Sequence, residues 1–280
     1  MIEIDEHIHA LIDMAMAEDI PGGIDITSDS TIEPEQIGLA EYRLRKRGVV
    51  AGIPIAVAVL NKLGINDIDA PVTCAHQNSE GDVILIARGK IQNLLLAERT
   101  TLNFLTHLSG IATLTRRWVD EVSGTQCQIR DTRKTTPGFR SLEKYAVRMG
   151  GGVNHRMSLS DAALIKDNHI VAAGGVMKAF ELVRAKYPQA DIEIEVDTLE
   201  QLRELLIGEP DLIMLDNMSV EQCREAVSIV NGKSKLEASG GITLDRAKAY
   251  AETGIDFMAI GAITHSAPAL DIGLDLRMES

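Results

Sequence analysis

Three short blocks hold the residues best suited to gripping a small anion. They are Asp131-Thr132-Arg133-Lys134-Thr135-Thr136-Pro137-Gly138, then Gly150-Gly151-Gly152-Val153-Asn154-His155-Arg156, then Lys166-Asp167-Asn168-His169. Residues 130–169 carry eight Arg and Lys against four Asp and Glu, a net +4 in a chain of formal charge −13, so the remainder carries −17. Arginine forks clasp a carboxylate or phosphate through two parallel hydrogen bonds, and glycine lets backbone come close to a ligand. A basic island in an acidic protein points to a compact anion rather than a polyanion. Nucleic-acid binders present a broad basic face and a high pI, whereas the pI here is near 5.0. Aromatic residues make up only 3% of the chain, too few to build base-stacking platforms.

The elements that must carry these blocks fall into two styles. In the front section Ile8, Leu11, Ile12 and Ala15 recur at helical spacing, predicting a helix over 5–17. Pro21-Gly22-Gly23-Ile24-Asp25 predicts a loop. Tyr42 and Leu44 alternate with Arg43 and Arg45 as on a half-exposed strand, and Val83–Ala87 is a second strand candidate. Pro54 can open a helix running to Leu63, and Asn93–Leu108 predicts a long helix with Leu95, Leu102 and Leu105 on one side. This section is expected to be a mixed α/β sandwich.

From about residue 126 strand, loop and helix alternate. The strand candidates are 127–131, 163–166, 192–196, 212–215, 235–238 and 257–260, with helices near 141–149, 174–186, 198–206, 219–230 and 243–253. Alternating βα units imply a parallel sheet, and Gly152–Asn154 can hide a short seventh strand. Each apolar strand ends in polar or glycine residues: Thr132-Arg133-Lys134, Lys166-Asp167-Asn168, Glu195, Asp216-Asn217, Ser239-Gly240-Gly241 and Gly261-Ala262. In a parallel barrel those ends converge on one face, where active sites are built. The expected fold is therefore α/β: a sandwich plus an incomplete TIM-like barrel, its mouth lined by cations on one arc and carboxylates on another. The alternation of Leu270, Ile272, Leu274 and Leu276, with no barrel helix after it, suggests a strand returning to the front domain. The expected division is residues 1–110 with 267–280, and 111–266.

Cys74, Cys127 and Cys223 are scattered and odd in number, which excludes a disulfide framework and suits a reducing compartment. No Cys/His cluster suggests zinc. The first residues are acidic, unlike a secretory signal, and the longest apolar stretch, Val49–Leu60, is interrupted by Gly52 and Pro54. A cytoplasmic protein with no membrane or nucleic-acid partner is expected.

Beyond the three blocks, the sequence contains Ala97-Glu98-Arg99-Thr100-Thr101-Leu102-Asn103, Leu108-Ser109-Gly110-Ile111-Ala112-Thr113, Glu143-Lys144-Tyr145-Ala146-Val147-Arg148, Leu215-Asp216-Asn217-Met218, Glu237-Ala238-Ser239-Gly240-Gly241-Ile242 and residues 261–266. Taken in order with the three blocks, these resemble the quinolinate phosphoribosyltransferases, the decarboxylating nicotinate-nucleotide pyrophosphorylases. The resemblance implies a dimer with shared active sites. The implied reaction joins quinolinate to 5-phosphoribosyl 1-pyrophosphate (PRPP) with Mg²⁺, giving nicotinate mononucleotide, pyrophosphate and CO₂ for NAD synthesis. It implies quinolinate contacts at Arg99, Thr132, Arg133, His155, Arg156 and Lys166, with Arg99 reaching the neighbouring subunit's site. It implies PRPP contacts at Lys134, Glu195, Asp216, Ser239, Gly240, Gly241, Ile260, Gly261, Ala262 and His265, with Mg²⁺ at Glu195 and Asp216. Alternation puts Glu193, Glu195 and Asp197 on one strand face, so only the resemblance selects Glu195. Three rivals remain: a relative acting on another acceptor, a Schiff-base aldolase using Lys166, and a silent sensor of pyridine carboxylates.

Overall fold

The computed structural model describes residues 2–72 and 75–278. The elements of the front section are α1 (Glu6–Asp19), α2 (Ile26–Thr31), β1 (Ile37–Leu44), β2 (Gly48–Val49), α3 (Ile53–Lys62), β3 (Asp67–Asp69), β4 (Gln77–Asn78), β5 (Val83–Lys90) and α4 (Ile91–Glu121). The rest comprises β6 (Gln128–Arg130), α5 (Arg140–Met149), β7 (Ala163–Ile165), α6 (Asp167–Ala173), α7 (Val176–Lys186), β8 (Ile192–Val196), α8 (Leu199–Leu205), β9 (Leu212–Asp216), α9 (Val220–Val230), β10 (Lys235–Ser239), α10 (Leu244–Ala251), β11 (Phe257–Ala259), α11 (Ala262–His265) and β12 (Ile272–Met278). Two compact units result: residues 1–114, 137–151 and 267–280, and residues 115–136 and 152–266.

In the first unit, α1 starts where the Asp5 carboxylate accepts the Ile8 N–H at 2.9 Å, and it buries Ile8, Leu11 and Ile12. Residues 21–25 form the expected loop, and Asp25 at its end caps α2, a helix of six residues too short to show periodicity in the sequence. An antiparallel sheet runs in the order β12-β1-β5-β3. The last strand lies against the first, with Gly38 opposite Met278 and Leu44 opposite Ile272.

α4 has 31 residues and runs well past Leu108. Ser109-Gly110 looks like a stop in sequence, yet Gly110 is there for closeness: a Cβ would fall on the Pro268 carbonyl oxygen. Gly110→Ala is expected to cost about 1–3 kcal/mol of stability, the usual toll of overpacking, read as a lower urea midpoint. The 140–149 helix, expected among the barrel helices, counts with the first unit. Phe139 stacks on Phe104 at 5.8 Å between ring centroids, and His107 Nε2 lies 2.9 Å from the fully buried Glu143.

The second unit is a six-stranded parallel sheet in the order β6-β11-β10-β9-β8-β7, wrapped by helices. Val153 adds a single parallel bridge to Arg130 beside β6, so the suspected seventh strand is one residue wide. Among the described residues nothing pairs Val153 with β7, and the barrel stays open there. The helix predicted over 174–186 begins later, as α7, because Gly174 and Gly175 take φ of +86° and +142° and separate it from α6. Barrel interiors are ordinarily layered with branched aliphatics; here Arg130, Glu193 and Glu237 line or fill the core, and Glu193 and Glu237 are buried. Cys127 and Cys223 are buried free thiols, and Cys74 lies outside the described residues. Among the described residues no helix is long and apolar enough to cross a membrane.

Candidate active site

The ends of the barrel strands frame a cavity of about 250 Å³. Thr132, Arg133, Lys134, His155, Arg156 and Lys166 line it, with Ser239 beside them and Leu164, Met214 and Ala259 as its apolar surface. All belong to the second unit. Asp131, fully buried, accepts the His155 N–H at 3.0 Å and a hydrogen bond from the Asn154 amide, so the end of β6 fixes the 154–156 loop. Arg156 donates to the Ala162 carbonyl at 2.8 Å. Burial, and then the neighbouring Arg133 guanidinium, hold the Arg156 pKa below its ordinary value. Arg133 Nε is buried and has no hydrogen-bond acceptor among the described residues. Two crowded guanidiniums, one with an idle buried donor, are suited to hold an anion between them.

Across the cavity stand carboxylates. Lys166 Nζ is 2.7 Å from Glu195 Oε2, and oxygens of Glu195, Asp197 and Asp216 lie within 4.8 Å of one another. Burial, then the charges of Glu195 and Asp197, push the Asp216 carboxyl above its ordinary range. Such mutual repulsion is what a hard divalent cation relieves, and Mg²⁺ is held by few protein oxygens together with water. Asn217, at φ +53°, donates its amide to Asp216, and its backbone N–H reaches the Ser239 carbonyl at 2.9 Å. A Cβ on Gly240, at φ +92°, would collide with the Asn217 amide, so this turn admits only glycine.

Gly261 is bare where the Lys134 side chain and the His265 ring pass close to it. Thr264 Oγ1 donates to the Lys134 carbonyl at 2.7 Å, and His265 Nδ1 pairs with Ser266 Oγ at 2.6 Å. Ile260 is buried, Gly241 takes φ +59°, and Ala262 opens α11. Apart from Lys134, these residues flank the strand ends without lining the cavity. Arg99 sits on the exposed side of α4 in the first unit.

Glu193, Glu237 and Arg130 of the barrel interior were not selected from the sequence, and neither was Asp197, exposed just past the end of β8. Arg130 Nη1 bonds Glu237 Oε2 at 2.7 Å, and His155 Nε2 lies 2.8 Å from Glu193 Oε2. A second cavity of about 600 Å³, lined by Arg130, His155, Glu193 and Phe257 among others, lies beside them. The signal was present in the pleat, since Glu237 alternates with Ser239 on one strand face, but nothing local distinguished it from a solvated carboxylate.

Burial, then the Glu193 charge, raise Glu237 from an ordinary 4.5 to about 8. Between those values the folded protein holds a proton that the unfolded chain releases, so stability should fall as pH rises through that window. Thermal melts at intervals across it should show the decline, and Glu237→Gln should flatten it. A wild-type melting temperature that climbs over the same interval would contradict this.

Cations facing a carboxylate cluster over the strand ends of an open parallel barrel define an α/β-barrel enzyme of small anionic substrates. Comparison with known proteins makes the class specific. Residues 25–109 match the quinolinate phosphoribosyl transferase N-terminal domain, and residues 111–275 match the C-terminal domain. The chain is 47% identical over 268 residues to the nicotinate-nucleotide pyrophosphorylase (carboxylating) of Mycobacterium leprae, covering 94% of each. A probable enzyme of the same name from Bacillus subtilis is 41% identical over 277 residues, with 96% of this chain and 93% of that one covered. The crystal structure of nicotinate-nucleotide pyrophosphorylase from Ehrlichia chaffeensis superposes with a TM-score of 0.93 at 39% identity, covering 99% of this chain and 100% of that one. The chain belongs to the quinolinate phosphoribosyl transferase family.

Proposed function

We propose that the strand-end cavity joins quinolinate to PRPP and releases pyrophosphate and CO₂, giving nicotinate mononucleotide for NAD biosynthesis. The observation that carries this is Arg133: a half-buried guanidinium with a buried, idle Nε–H, beside Arg156 and Lys166 in one small cavity. A flat pyridine dicarboxylate needs several cations at fixed angles, and Arg133, Arg156 and Lys166 supply them. Thr132 and His155 complete the wall. PRPP is assigned to Lys134, to Glu195 and Asp216, to Ser239, Gly240 and Gly241, and to Ile260, Gly261, Ala262 and His265. The glycine turns offer backbone N–H groups to the 5-phosphate, as barrels often do after their last strands. Mg²⁺ would sit at Glu195 and Asp216 and would neutralise the departing pyrophosphate.

The protein's part is positioning and electrostatics. Lys134 stabilises the leaving pyrophosphate while the carboxylates orient the ribose, whose C1 becomes oxocarbenium-like. Arg133, Arg156 and Lys166 hold quinolinate so that its ring nitrogen faces that carbon. Once quaternised, the nitrogen stabilises the carbanion left at C2 as CO₂ departs; the carbanion then takes a proton from water, so no side-chain base is required. Lys166 is ion-paired with Glu195 at 2.7 Å, an engagement that disfavours a Schiff-base role. Cys127 and Cys223, free thiols among the described residues, support a reducing, cytoplasmic setting.

Purified protein supplied with quinolinate, PRPP and Mg²⁺ should form nicotinate mononucleotide and CO₂ in equal amounts; formation of neither overturns the function. We further propose a dimer in which Arg99 completes the partner's pocket. Arg99→Ala and Arg133→Ala should each be inactive, and remixing them should restore roughly a quarter of wild-type activity through hybrid dimers with one intact site. No recovery after verified subunit exchange would place Arg99 elsewhere.

A further inference from the structure

His155 is held from both ends. Its Nδ1 accepts the Arg156 backbone N–H at 2.7 Å, so that nitrogen carries a lone pair and no proton. Its Nε2 lies 2.8 Å from Glu193 Oε2 and 3.6 Å from Glu237 Oε1, the approach of an ion pair rather than of an aligned hydrogen bond. The hydrogen bond made by one imidazole nitrogen decides which nitrogen bears the hydrogen; here that is Nε2, turned toward the carboxyl groups.

The residues behind the ring are unusual for a barrel core. Glu193 is 5% exposed and Glu237 is fully buried. Arg130, 2.7 Å from Glu237, also lies over the Phe257 ring at 4.6 Å. His155, Glu193 and Glu237 have the spacing of a metal site, yet the Arg130 guanidinium already supplies the cation there. Burying charge costs several kcal/mol per ion before pairing offsets it, and such departures from an aliphatic interior mark functional positions. The cluster touches the proposed quinolinate cavity only through His155, which lines both cavities with Arg156.

We propose that Glu193, backed by Glu237 and Arg130, is a positioning residue that locks His155 as a neutral Nε2–H imidazole, so that quinolinate meets a flat, uncharged wall. The benefit lies in the chemistry of the nucleophile. The pyridine nitrogen attacks through its lone pair, and a histidine N–H aimed into the cavity would occupy that lone pair. With one nitrogen spent on a backbone N–H and the other facing Glu193 rather than the cavity, His155 keeps the ring in place and offers it no proton. The charge of the clasp is then carried by Arg133, Arg156 and Lys166. The proposal rests on quinolinate occupying this cavity.

Two-bond ¹H–¹⁵N spectra of the unliganded protein at neutral pH read the tautomer directly, with His155→Gln identifying the signal. Nδ1 should resonate as an unprotonated nitrogen and Nε2 as a protonated one; two protonated nitrogens, or the opposite tautomer, overturn the lock. Glu193→Leu removes the acceptor. It should alter the His155 pattern and raise the quinolinate KM about tenfold or more, as expected for a buried N–H left without an acceptor, while the PRPP KM stays put. Glu193→Gln, whose amide oxygen accepts the same N–H, should rescue both readouts. A Leu variant with an unchanged quinolinate KM, or a Gln variant no better than Leu, counts against the proposal. If the Leu variant does not fold, the wild-type spectrum and the Gln variant still decide. A protein that binds quinolinate without the Nε2–H pattern sinks the tautomer lock alone. One that shows the pattern but binds no quinolinate sinks the cavity assignment and the functional half with it.

Discussion

Arg133→Ala is expected to lower kcat/KM for quinolinate by about a hundred- to a thousandfold, the ~3–4 kcal/mol typical of cutting one member of a buried charge pair. Its Nε is buried and without an acceptor, and it crowds Arg156 enough to depress that pKa. A substrate carboxylate between the two guanidiniums relieves both costs at once. Truncation removes the fork and leaves Arg156 to hold the dianion with Lys166. Arg133→Lys should recover little, because an ammonium cannot reproduce the two parallel bonds. Initial rates at varied quinolinate and saturating PRPP check this; turnover within twofold of wild type would remove Arg133 from the site.

Asp216→Asn should affect the other substrate. Its carboxyl shares a region within 4.8 Å with Glu195 and Asp197, and the neutral amide keeps the shape while removing a ligand charge. The kcat/KM for PRPP should fall about a hundredfold or more, since charge stabilisation through a bound metal is worth several kcal/mol. Calorimetric binding of quinolinate in the absence of PRPP should be unaffected. The pH dependence has a definite sign. Burial and its two acidic neighbours raise the Asp216 carboxyl, so on acidification it gains its proton earlier than a free aspartate would. The PRPP limb of the rate profile should fall off correspondingly early, and Asp197→Asn should move that limb to lower pH. Undiminished PRPP kinetics in Asp216→Asn would detach the carboxylate cluster from phosphoribosyl binding.

Legibility in the sequence followed the range of the interactions. Strand positions came from short runs rich in β-branched residues such as Ile192–Val196, which the structure reproduces residue for residue. The strand-end rule located Thr132, Arg133, Lys134, Lys166 and Ser239, all of which line one cavity. What stayed hidden depended on contacts far apart in the chain. Gly110 looks like a helix stop until Pro268, well over a hundred residues later, is seen to need its space. Glu237 looks like a strand carboxylate until Arg130, Glu193 and His155 gather around it. The 140–149 helix occupies a barrel helix's place in the alternation, yet Tyr145 approaches the Gly52 N–H at 3.5 Å and Glu143 meets His107, so it counts with the first unit. Periodicity reports which face of an element is apolar and is silent about what covers it.

The pairing of β1 with β12 constrains how the chain reaches this state during synthesis. Leu39 cannot find its partner Arg277 until the well over two hundred residues between them have left the ribosome. β1 pairs with β5 meanwhile and exposes its other edge to solvent. The chain also passes between the two compact units four times, at residues 114, 136, 151 and 266. Neither unit is a contiguous stretch that a nascent chain could finish before starting the other. Early-emerging segments must wait, with unpaired strand edges, for late-emerging ones, which is the circumstance in which non-local topologies fold slowly and lean on chaperones.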